Sequence, residues 1–293
     1  MGSRPTPQNL AAAIEQAIGH RPRNISALGG GCIAEVRKIE FERHAPLVAK
    51  WAGAAAGPGG GLALEAAMLR HLEEHSRLPV PAVLYADDRL LLIEFIETAG
   101  RIDAAAETHA AELIAALHGM TGPSVGFGYD TLIGGLPQPN PPTASWRDFF
   151  RDHRLLHMAH AAHHAGRLPA RLLARVDTLA GRLERWIAAQ STPSLLHGDL
   201  WAGNILVRAG RIAGFIDPAI YYGDAEIELA FATLFDSLSA PFFRRYGELR
   251  PLAPGFFEER RDLYNLYPLL VHVRLFGGGY VGQVERTLAR FGC

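Results

Sequence analysis

Three polar side chains, in one short loop and on the strand pair that follows, have the types and spacing needed for phosphoryl transfer. The stretch SLLHGDLWAGNILV, residues 194–207, places Asp199 and Asn204 five positions apart between two apolar runs. A carboxylate there can accept the proton of an attacking hydroxyl, and an amide five positions later can turn back to hold Mg²⁺. Asp217 follows on a predicted strand, where its carboxylate can bind a metal that bridges phosphates. The alternative is a polar turn that caps a helix.

An upstream lysine can supply the ammonium group that this chemistry needs. Lys38 and Lys50 are the only lysines in the sequence, although Lys and Arg together number 29. Lys50 ends a predicted strand, from which it can reach the α- and β-phosphates of a nucleotide and pair with a helix glutamate. Glu65, one turn into the next predicted helix, is the candidate partner. A solvated lysine at a strand end is the alternative.

A glycine-rich stretch between two predicted strands is a candidate phosphate cradle. It is GGGCIAEV, residues 29–36, and it contains Gly29, Gly30, Gly31 and Cys32. Glycines allow backbone N–H groups to approach phosphate oxygens, although a tight hairpin explains the same run. Strand rather than helix follows the glycines, which disfavours a dinucleotide-binding fingerprint.

The stretch IEFIE, residues 93–97, ends the first group of predicted strands and would form a hinge. Backbone N–H and C=O groups of Glu94, Phe95 and Ile96 would then contact the adenine edge of a nucleotide. Core packing explains Phe95 and Ile96 equally well.

The elements that must position these residues fall into two groups. Residues 1–97 predict a leading helix, a small antiparallel sheet and one inserted helix at 62–75. Residues 98–293 predict mostly helices, interrupted by the loop described above and by a hairpin that turns at Ala209 and Gly210. We therefore expect an α+β protein with a small sheet-containing lobe and a larger, mainly helical lobe.

Composition limits the classes of function. Of 293 residues, 48% are hydrophobic and 20% charged, which suits a globular chain with substantial cores. The formal net charge of −1 gives no overall field for binding nucleic acid or an anionic membrane. Two cysteines, Cys32 and Cys293, do not make a disulfide framework, so a reducing cytoplasm is expected. No apolar run approaches the length of a membrane span.

Several motifs together resemble the fructosamine/ketosamine kinases, which lie within the aminoglycoside-phosphotransferase-like branch of the protein-kinase fold. The motifs are GGGCIAE, HGDLWAGN, IDPAIYYGDAEIELA, WRDFFRDHRL and APGFFEERRDLYNLYPLL. The resemblance runs from about residue 25 to the end of the chain. A general small-molecule kinase of this branch would share His197, Asp199, Asn204 and Asp217, but would share Trp201 less readily.

The resemblance implies a two-lobed protein-kinase-like fold and ATP-dependent phosphorylation of the 3-hydroxyl of the sugar part of a ketoamine. It implies that Asp199 is the base, that Asn204 and Asp217 hold Mg²⁺, and that Lys50, positioned by Glu65, binds ATP. Fructosamines and shorter ribulosamines both stay open as acceptors, free or protein-bound. We expect a cytoplasmic monomer with neither nucleic-acid nor membrane partners.

Two aromatic side chains are candidates for binding the substrate. Trp201 lies two residues after the proposed base and can stack on a sugar, although packing beneath the loop is the alternative. His272 can face the substrate cleft, with interior packing as its alternative. Cys32 is a candidate redox switch, because backbone N–H groups of the glycine loop would lower the pKa of its thiol. An inert small residue is the other interpretation of Cys32.

Other polar residues near the loop have structural interpretations. His197 is expected to brace the loop, and Asp224 and Glu228 are expected to cap a helix and anchor the loop. Two alternative functions stay open: another small-molecule kinase of this branch, acting on an aminoglycoside or choline, and a nucleotide-binding module without activity. The second is disfavoured because the base, the metal ligands and the lysine are all present.

Overall fold

The computed structural model describes residues 7–29, 35–52 and 61–293, and the chain divides into two compact units. The first unit comprises Met1–Arg101 and Ile205–Pro218, and the second comprises Ile102–Asn204 and Ala219–Cys293. No helix among the described residues is long and apolar enough to cross a bilayer.

The first unit is built on a five-stranded antiparallel sheet in the order β1-β2-β3-β5-β4. Its strands are β1 (Asn24–Ala27), β2 (Glu35–Glu40), β3 (Leu47–Trp51), β4 (Val83–Ala86) and β5 (Leu90–Glu94). The helices among the described residues of this unit are α1 (Pro7–Ile18) and α2 (Gly61–His75). The antiparallel sheet and its inserted helix confirm the prediction for this part of the chain.

Strand β5 lies between two apolar cores. Leu90 and Leu92 join a core that includes residues of α1, whereas Leu91 and Ile93 join a core that includes residues of α2. Successive side chains of a strand point to opposite faces of the sheet, so this apolar run is buried on both faces. The neighbouring β3 pairs with β5 through Lys50 opposite Leu91, which fixes the position of that lysine in the sheet.

The predicted hairpin is present as β9 (Ile205–Arg208) and β10 (Arg211–Phe215). Ala209 and Gly210 between the strands both have positive φ, 52° and 71°, as a two-residue turn of a twisted hairpin requires. The hairpin belongs to the first unit, because Phe215 N–H donates to Pro79 O at 2.8 Å and Ala99 N–H donates to Val207 O at 2.9 Å. Sequence order alone had grouped it with residues 98–293.

The second unit is mainly helical. Its helices are α3 (Ala104–His118), α4 (Trp146–Phe150), α5 (His157–His164), α6 (Ala170–Ala180), α7 (Ala225–Phe231), α8 (Ala240–Leu249), α9 (Arg261–Tyr264), α10 (Leu266–Phe276) and α11 (Gly279–Arg290). Two short antiparallel pairs join them: β6 (Thr131–Ile133) with β7 (Leu136–Gln138), and β8 (Ser194–Leu196) with β11 (Tyr221–Gly223). The whole is an α+β fold, as the sequence predicts.

One helix of this unit ends earlier than its apolar pattern suggests. The spacing of Leu172, Val176 and Leu179 continues to Trp186, but α6 ends at Ala180. Gly181 follows, and its N–H donates back to Asp177 O at 3.1 Å before a separate 3₁₀ turn begins. Glycine has a low helix propensity, which explains the break.

Candidate active site

Lys50 of β3 is the centre of an ion-pair cluster in the first unit. Its Nζ donates to Glu65 Oε1 of α2 at 2.5 Å and also to Asp217 Oδ1. Lys50 is 8% exposed. Burial alone would lower the pKa of Lys50, but the charges of Glu65 and Asp217 outweigh it and raise that pKa. The ammonium is therefore fully charged at neutral pH and held between two carboxylates.

Asp217 follows β10 in a left-handed backbone conformation, with φ of 54°. A residue with a side chain adopts this region only at a cost, roughly 1–3 kcal/mol, and such residues cluster at functional sites. The bond from Lys50 holds the carboxylate in place. The structure thus brings together three of the residues singled out in the sequence: Lys50, Glu65 and Asp217.

A second cluster lies in the loop between β8 and β9 of the chain. Asn204 is buried, and its Nδ2 donates to Asp199 O at 2.9 Å and to Asp199 Oδ2 at 2.7 Å. The five-position spacing therefore folds the loop back on itself through the 3₁₀ turn Ala202–Asn204. These two bonds fix the carboxylate of Asp199 and do not use the amide oxygen Oδ1 of Asn204.

Gly198 allows the loop to pass close to the segment between β10 and β11 that contains Ala219. It has φ of 86°, and a Cβ at this position would lie 2.0 Å from Ala219 O. Ala219 N–H in turn donates to His197 O at 2.8 Å. A side chain at residue 198 would therefore displace the backbone directly beside Asp199.

The buried carboxylate of Glu228, on α7, accepts hydrogen bonds from the same loop. Its Oε1 accepts Gly198 N–H at 2.5 Å, and its Oε2 accepts His197 N–H at 3.3 Å and lies 2.8 Å from His118 Nε2. Burial alone would raise the pKa of Glu228, but the bond with His118, the charges of His118 and His197 and the Gly198 N–H together lower it. His118 Nδ1 lies 2.8 Å from Tyr246 Oη, so the anchor extends to α8.

The polar residues around the loop act structurally, as the sequence suggests. Asp224 caps α7 by accepting Glu226 N–H at 2.9 Å. His197 is fully buried, and its Nδ1 accepts Asp199 N–H at 3.4 Å.

Asp199 also lines a largely apolar cavity of the second unit. Ile133, Tyr267, Val271 and His272 are among the other lining residues. Trp201 does not line it; its indole lies across Gly203, where a Cβ would be 2.3 Å from the ring, and 38% of the residue is exposed. His272 therefore lines the same cavity as the proposed base, and Trp201 lies on the surface of the loop.

The hinge residues make sheet contacts in the first unit. Glu94 N–H donates to Ala82 O at 2.9 Å and Phe95 N–H donates to Pro46 O at 3.4 Å. Lys38 Nζ lies 4.5 Å from the centre of the Phe95 ring. The side chain of Ile96 packs against Gly214 of the hairpin. Adenine contact by these three hinge residues stays a prediction.

Gly29 is exposed, and a Cβ there would meet no atom within 4 Å. Gly30, Gly31 and Cys32 lie outside the described residues, so the phosphate-cradle and redox-switch interpretations stay predictions.

The donor atoms suit a sparsely ligated Mg²⁺ ion. Among residues 7–29, 35–52 and 61–293, no three His, Cys, Asp or Glu side chains are arranged to hold a metal. Mg²⁺ keeps several waters and takes one or two protein oxygens together with substrate phosphates. Both Asp217 and Asn204 offer an oxygen atom of this type, and Mg²⁺ binding by these two residues stays a prediction.

Arg154 is fully buried in the second unit, a position that is not apparent from the sequence. It lies in the π-helical turn Arg151–Leu156, and its guanidinium lies 4.5 and 4.0 Å from the ring centres of Phe149 and Tyr221. Its Nη2 donates to Asn140 Oδ1 at 2.6 Å. Arginine is abundant in this chain, so nothing in the sequence distinguishes this one.

The contacts of Arg154 stabilise a segment that supplies one wall of the cavity. Gln138, close to Asn140 in sequence, donates to Ala219 O at 3.0 Å and accepts from Tyr267 Oη at 2.6 Å. The stretch 122–143 is therefore partly buried and connected to the loop through Ala219.

Comparison with known proteins identifies one family over nearly the whole chain. The family model described as fructosamine kinase matches residues 6–291. A probable ketoamine kinase of Synechocystis is 44% identical over 180 residues, which is 60% of this chain and 58% of that protein. The match thus spans less than two-thirds of that relative.

Two solved structures share the fold. A protein from Thermobifida fusca assigned to the fructosamine-3-kinases superposes with a TM-score of 0.86 at 30% identity, covering 97% of this chain and 100% of its own. A thermostable mutant of the aminoglycoside phosphotransferase APH(4)-Ia superposes with a TM-score of 0.67 at 18% identity. The match covers 97% of this chain and 99% of the phosphotransferase chain. The second likeness shows the kinase-like fold alone.

Proposed function

Because this chain belongs to the fructosamine kinase family, whose members are phosphotransferases, we propose that it transfers the γ-phosphoryl group of ATP to the 3-hydroxyl of the sugar part of a ketoamine. The acceptor is a ribulosamine or a fructosamine, free or attached to a protein.

The observation that carries this proposal is the pair of bonds from Asn204 to Asp199 at 2.9 and 2.7 Å. They hold one carboxylate in a fixed orientation at the edge of a cavity. In the proposed reaction Asp199 accepts the proton of the attacking hydroxyl as the new oxygen–phosphorus bond forms. The bond between the γ-phosphorus and its bridging oxygen breaks, and ADP leaves with the electron pair.

The ion-pair cluster of the first unit supports a role in binding the nucleotide. Lys50, kept charged and positioned by Glu65, would neutralise the α- and β-phosphates. Asp217 and Asn204 would hold Mg²⁺, which when bound neutralises charge that develops on the transferred group.

Other acceptors are less well supported. The likeness to an aminoglycoside phosphotransferase is at 18% identity and concerns the fold. The net charge of −1 gives no acidic surplus to attract a polycationic antibiotic. A non-catalytic nucleotide-binding module would not need Asp199 oriented by Asn204. The monomeric state and the cytoplasmic location stay predictions.

A substrate panel tests the proposal directly. ATP consumption would be measured with ribulose-lysine, erythrulose-lysine, fructose-lysine, an aminoglycoside and choline, and the phosphorylated carbon of each product assigned by NMR. We expect turnover of at least one ketoamine with phosphate on carbon 3. Phosphorylation of the aminoglycoside or choline alone would replace the proposed acceptor, and no turnover of any of them would remove the kinase assignment.

A further inference from the structure

His272 and the three aromatic side chains that contact it form a continuous group, and we call this group the aromatic rim. It consists of Phe235, His272, Phe276 and Tyr280. The His272 ring lies 4.8 Å from Phe235, 5.7 Å from Phe276 and 4.9 Å from Tyr280, measured between ring centres. Three segments contribute: the turn after α7, the end of α10 and the start of α11.

The aromatic rim is open to solvent and borders the cavity that Asp199 lines. Phe235 is 39% exposed and Phe276 is 51% exposed. His272 belongs to both the rim and the cavity lining, so this one side chain connects the cavity that Asp199 lines with the exposed rings. A molecule that places a hydroxyl at Asp199 and extends outward past His272 would contact the rim.

The hydrogen bonding of His272 defines what its ring can offer a ligand. The Nδ1 atom lies 2.8 Å from Pro268 O, and since a carbonyl only accepts, Nδ1 carries the proton. Burial lowers the pKa of His272, which favours the neutral ring at neutral pH. A neutral ring protonated at Nδ1 has a lone pair at Nε2 and therefore accepts a hydrogen bond there.

The turn that carries Phe235 is also connected to the loop of Asp199. Ala202 N–H donates to Ser237 Oγ at 3.0 Å. Phe235 and Asp236, directly before Ser237, both have positive φ, 58° and 52°. The position of the Phe235 ring is thus coupled to the loop that contains Trp201.

We propose that the aromatic rim is the subsite for the protonated secondary amine of the acceptor, and this rests on the proposed function. A ketoamine differs from a plain ketose by an amine on carbon 1, close to the carbon 3 hydroxyl, and at neutral pH that amine is a cation. Faces of Phe and Tyr attract such a cation, as in the aromatic sites that recognise ammonium ligands. His272 Nε2 accepts one N–H of the ammonium, and the exposed rings of Phe235 and Phe276 contact it.

This subsite would give the enzyme its preference for ketoamines over ketoses of the same sugar. The preference then resides in the charge of the amine and not in the shape of the sugar. A charge-recognising role of the rim can be distinguished from a purely structural one. Loss of packing would affect charged and neutral acceptors equally, whereas loss of the subsite would affect the charged acceptor more.

The test compares two acceptors that differ only at the amine, which supplies both the positive charge and the N–H donors. The first is 1-alkylamino-1-deoxyfructose, and the second is the 1-alkyl ether of fructose, which has oxygen in place of the amine. For each enzyme the ratio of kcat/KM for the amine to kcat/KM for the ether is measured. We expect this ratio to fall about 3- to 20-fold in Phe235→Leu and in Phe276→Leu, the range of a cation–π contact.

A matched control is Phe257→Leu, which removes an aromatic ring that is 41% exposed and contacts Phe243 and Phe256 outside the rim. The ratio of kcat/KM for the amine to kcat/KM for the ether should be the same in Phe257→Leu as in the parent enzyme. Equal losses on both acceptors in the Phe235 and Phe276 variants overturn the subsite while leaving the kinase function intact. A parent enzyme that phosphorylates neither acceptor refutes the proposed function instead. Phe276 is the more exposed ring, so its variant gives a result even if Phe235→Leu fails to fold.

Discussion

At the scale of single residues, the proposed base and its neighbour form one unit. Asn204 reaches both the backbone oxygen and the carboxylate of Asp199, so its amide orients the group that would accept the proton. Lys50 is likewise shared by Glu65 and Asp217, and neither carboxylate alone defines its position. In both clusters a side chain's role depends on the partner that holds it.

Replacement of Asp199 by asparagine should remove turnover while leaving nucleotide binding intact. The amide has nearly the same shape but cannot accept the proton, and general-base catalysis contributes about 10²–10⁴-fold. We expect kcat to fall by that factor and the Kd of ATP, measured by calorimetry, to change less than about threefold. A variant with parental kcat would exclude Asp199 as the base.

At the scale of elements, α7 positions the loop that carries Asp199. Its N-terminus is capped by Asp224, and one helical turn later Glu228 accepts two loop N–H groups and contacts His118 at the end of α3. A helix end, a loop and a second helix are thus connected through one buried carboxylate.

Replacement of Glu228 by glutamine should lower both stability and kcat. Glutamine has one acceptor oxygen in place of two, so at least one buried loop N–H loses its partner, at a cost of about 2–4 kcal/mol in unfolding free energy. Glu226→Gln is the matched control on the same helix, because Glu226 pairs with Arg260 and not with the loop. Urea unfolding and kcat at a temperature where both variants are folded provide the measurement. Equal kcat in the two variants would show that Glu228 only stabilises the fold.

At the scale of the whole molecule, three histidines make stability depend on pH. Burial is the largest cause that lowers the pKa of His71, His153 and His272 below the ordinary 6.5. The folded chain therefore binds fewer protons than the unfolded chain as pH falls below 6.5, and its stability decreases there. The pKa of the buried carboxylate Glu228 is lowered from the ordinary glutamate value of 4.5. Its contribution to the free energy of unfolding is therefore lost only at more acidic pH, below 4.5.

Unfolding free energy should accordingly fall between pH 7.5 and 5.5. Substituting glutamine at both His71 and His153 removes two of the three groups and should flatten that decline, as followed by urea titration at each pH. His160→Gln, at an exposed histidine of α5, is the control and should keep the parental slope. An unchanged slope in the double variant would contradict the assignment.

The local chemistry and the elements were readable from the sequence because both depend on short-range pattern. The D-x₄-N spacing predicted that the Asn204 side chain turns back within the loop, short apolar runs separated by turn residues predicted the sheet, and the scarcity of lysine drew attention to Lys50. The family resemblance added the acceptor class, which no single residue type determines.

Tertiary structure alone decided the contacts that join distant segments. The hairpin of β9 and β10 groups with the first unit because its backbone bonds to Pro79 and Ala99, partners that sequence order does not reveal. Arg154 is buried because a π-helical turn directs it among aromatic rings, and an arginine in sequence looks like a surface residue. Phe235, Phe276 and Tyr280 gather around His272 only after three segments pack together. Pattern along a chain encodes local conformation, whereas the choice of a partner many residues away is made by packing.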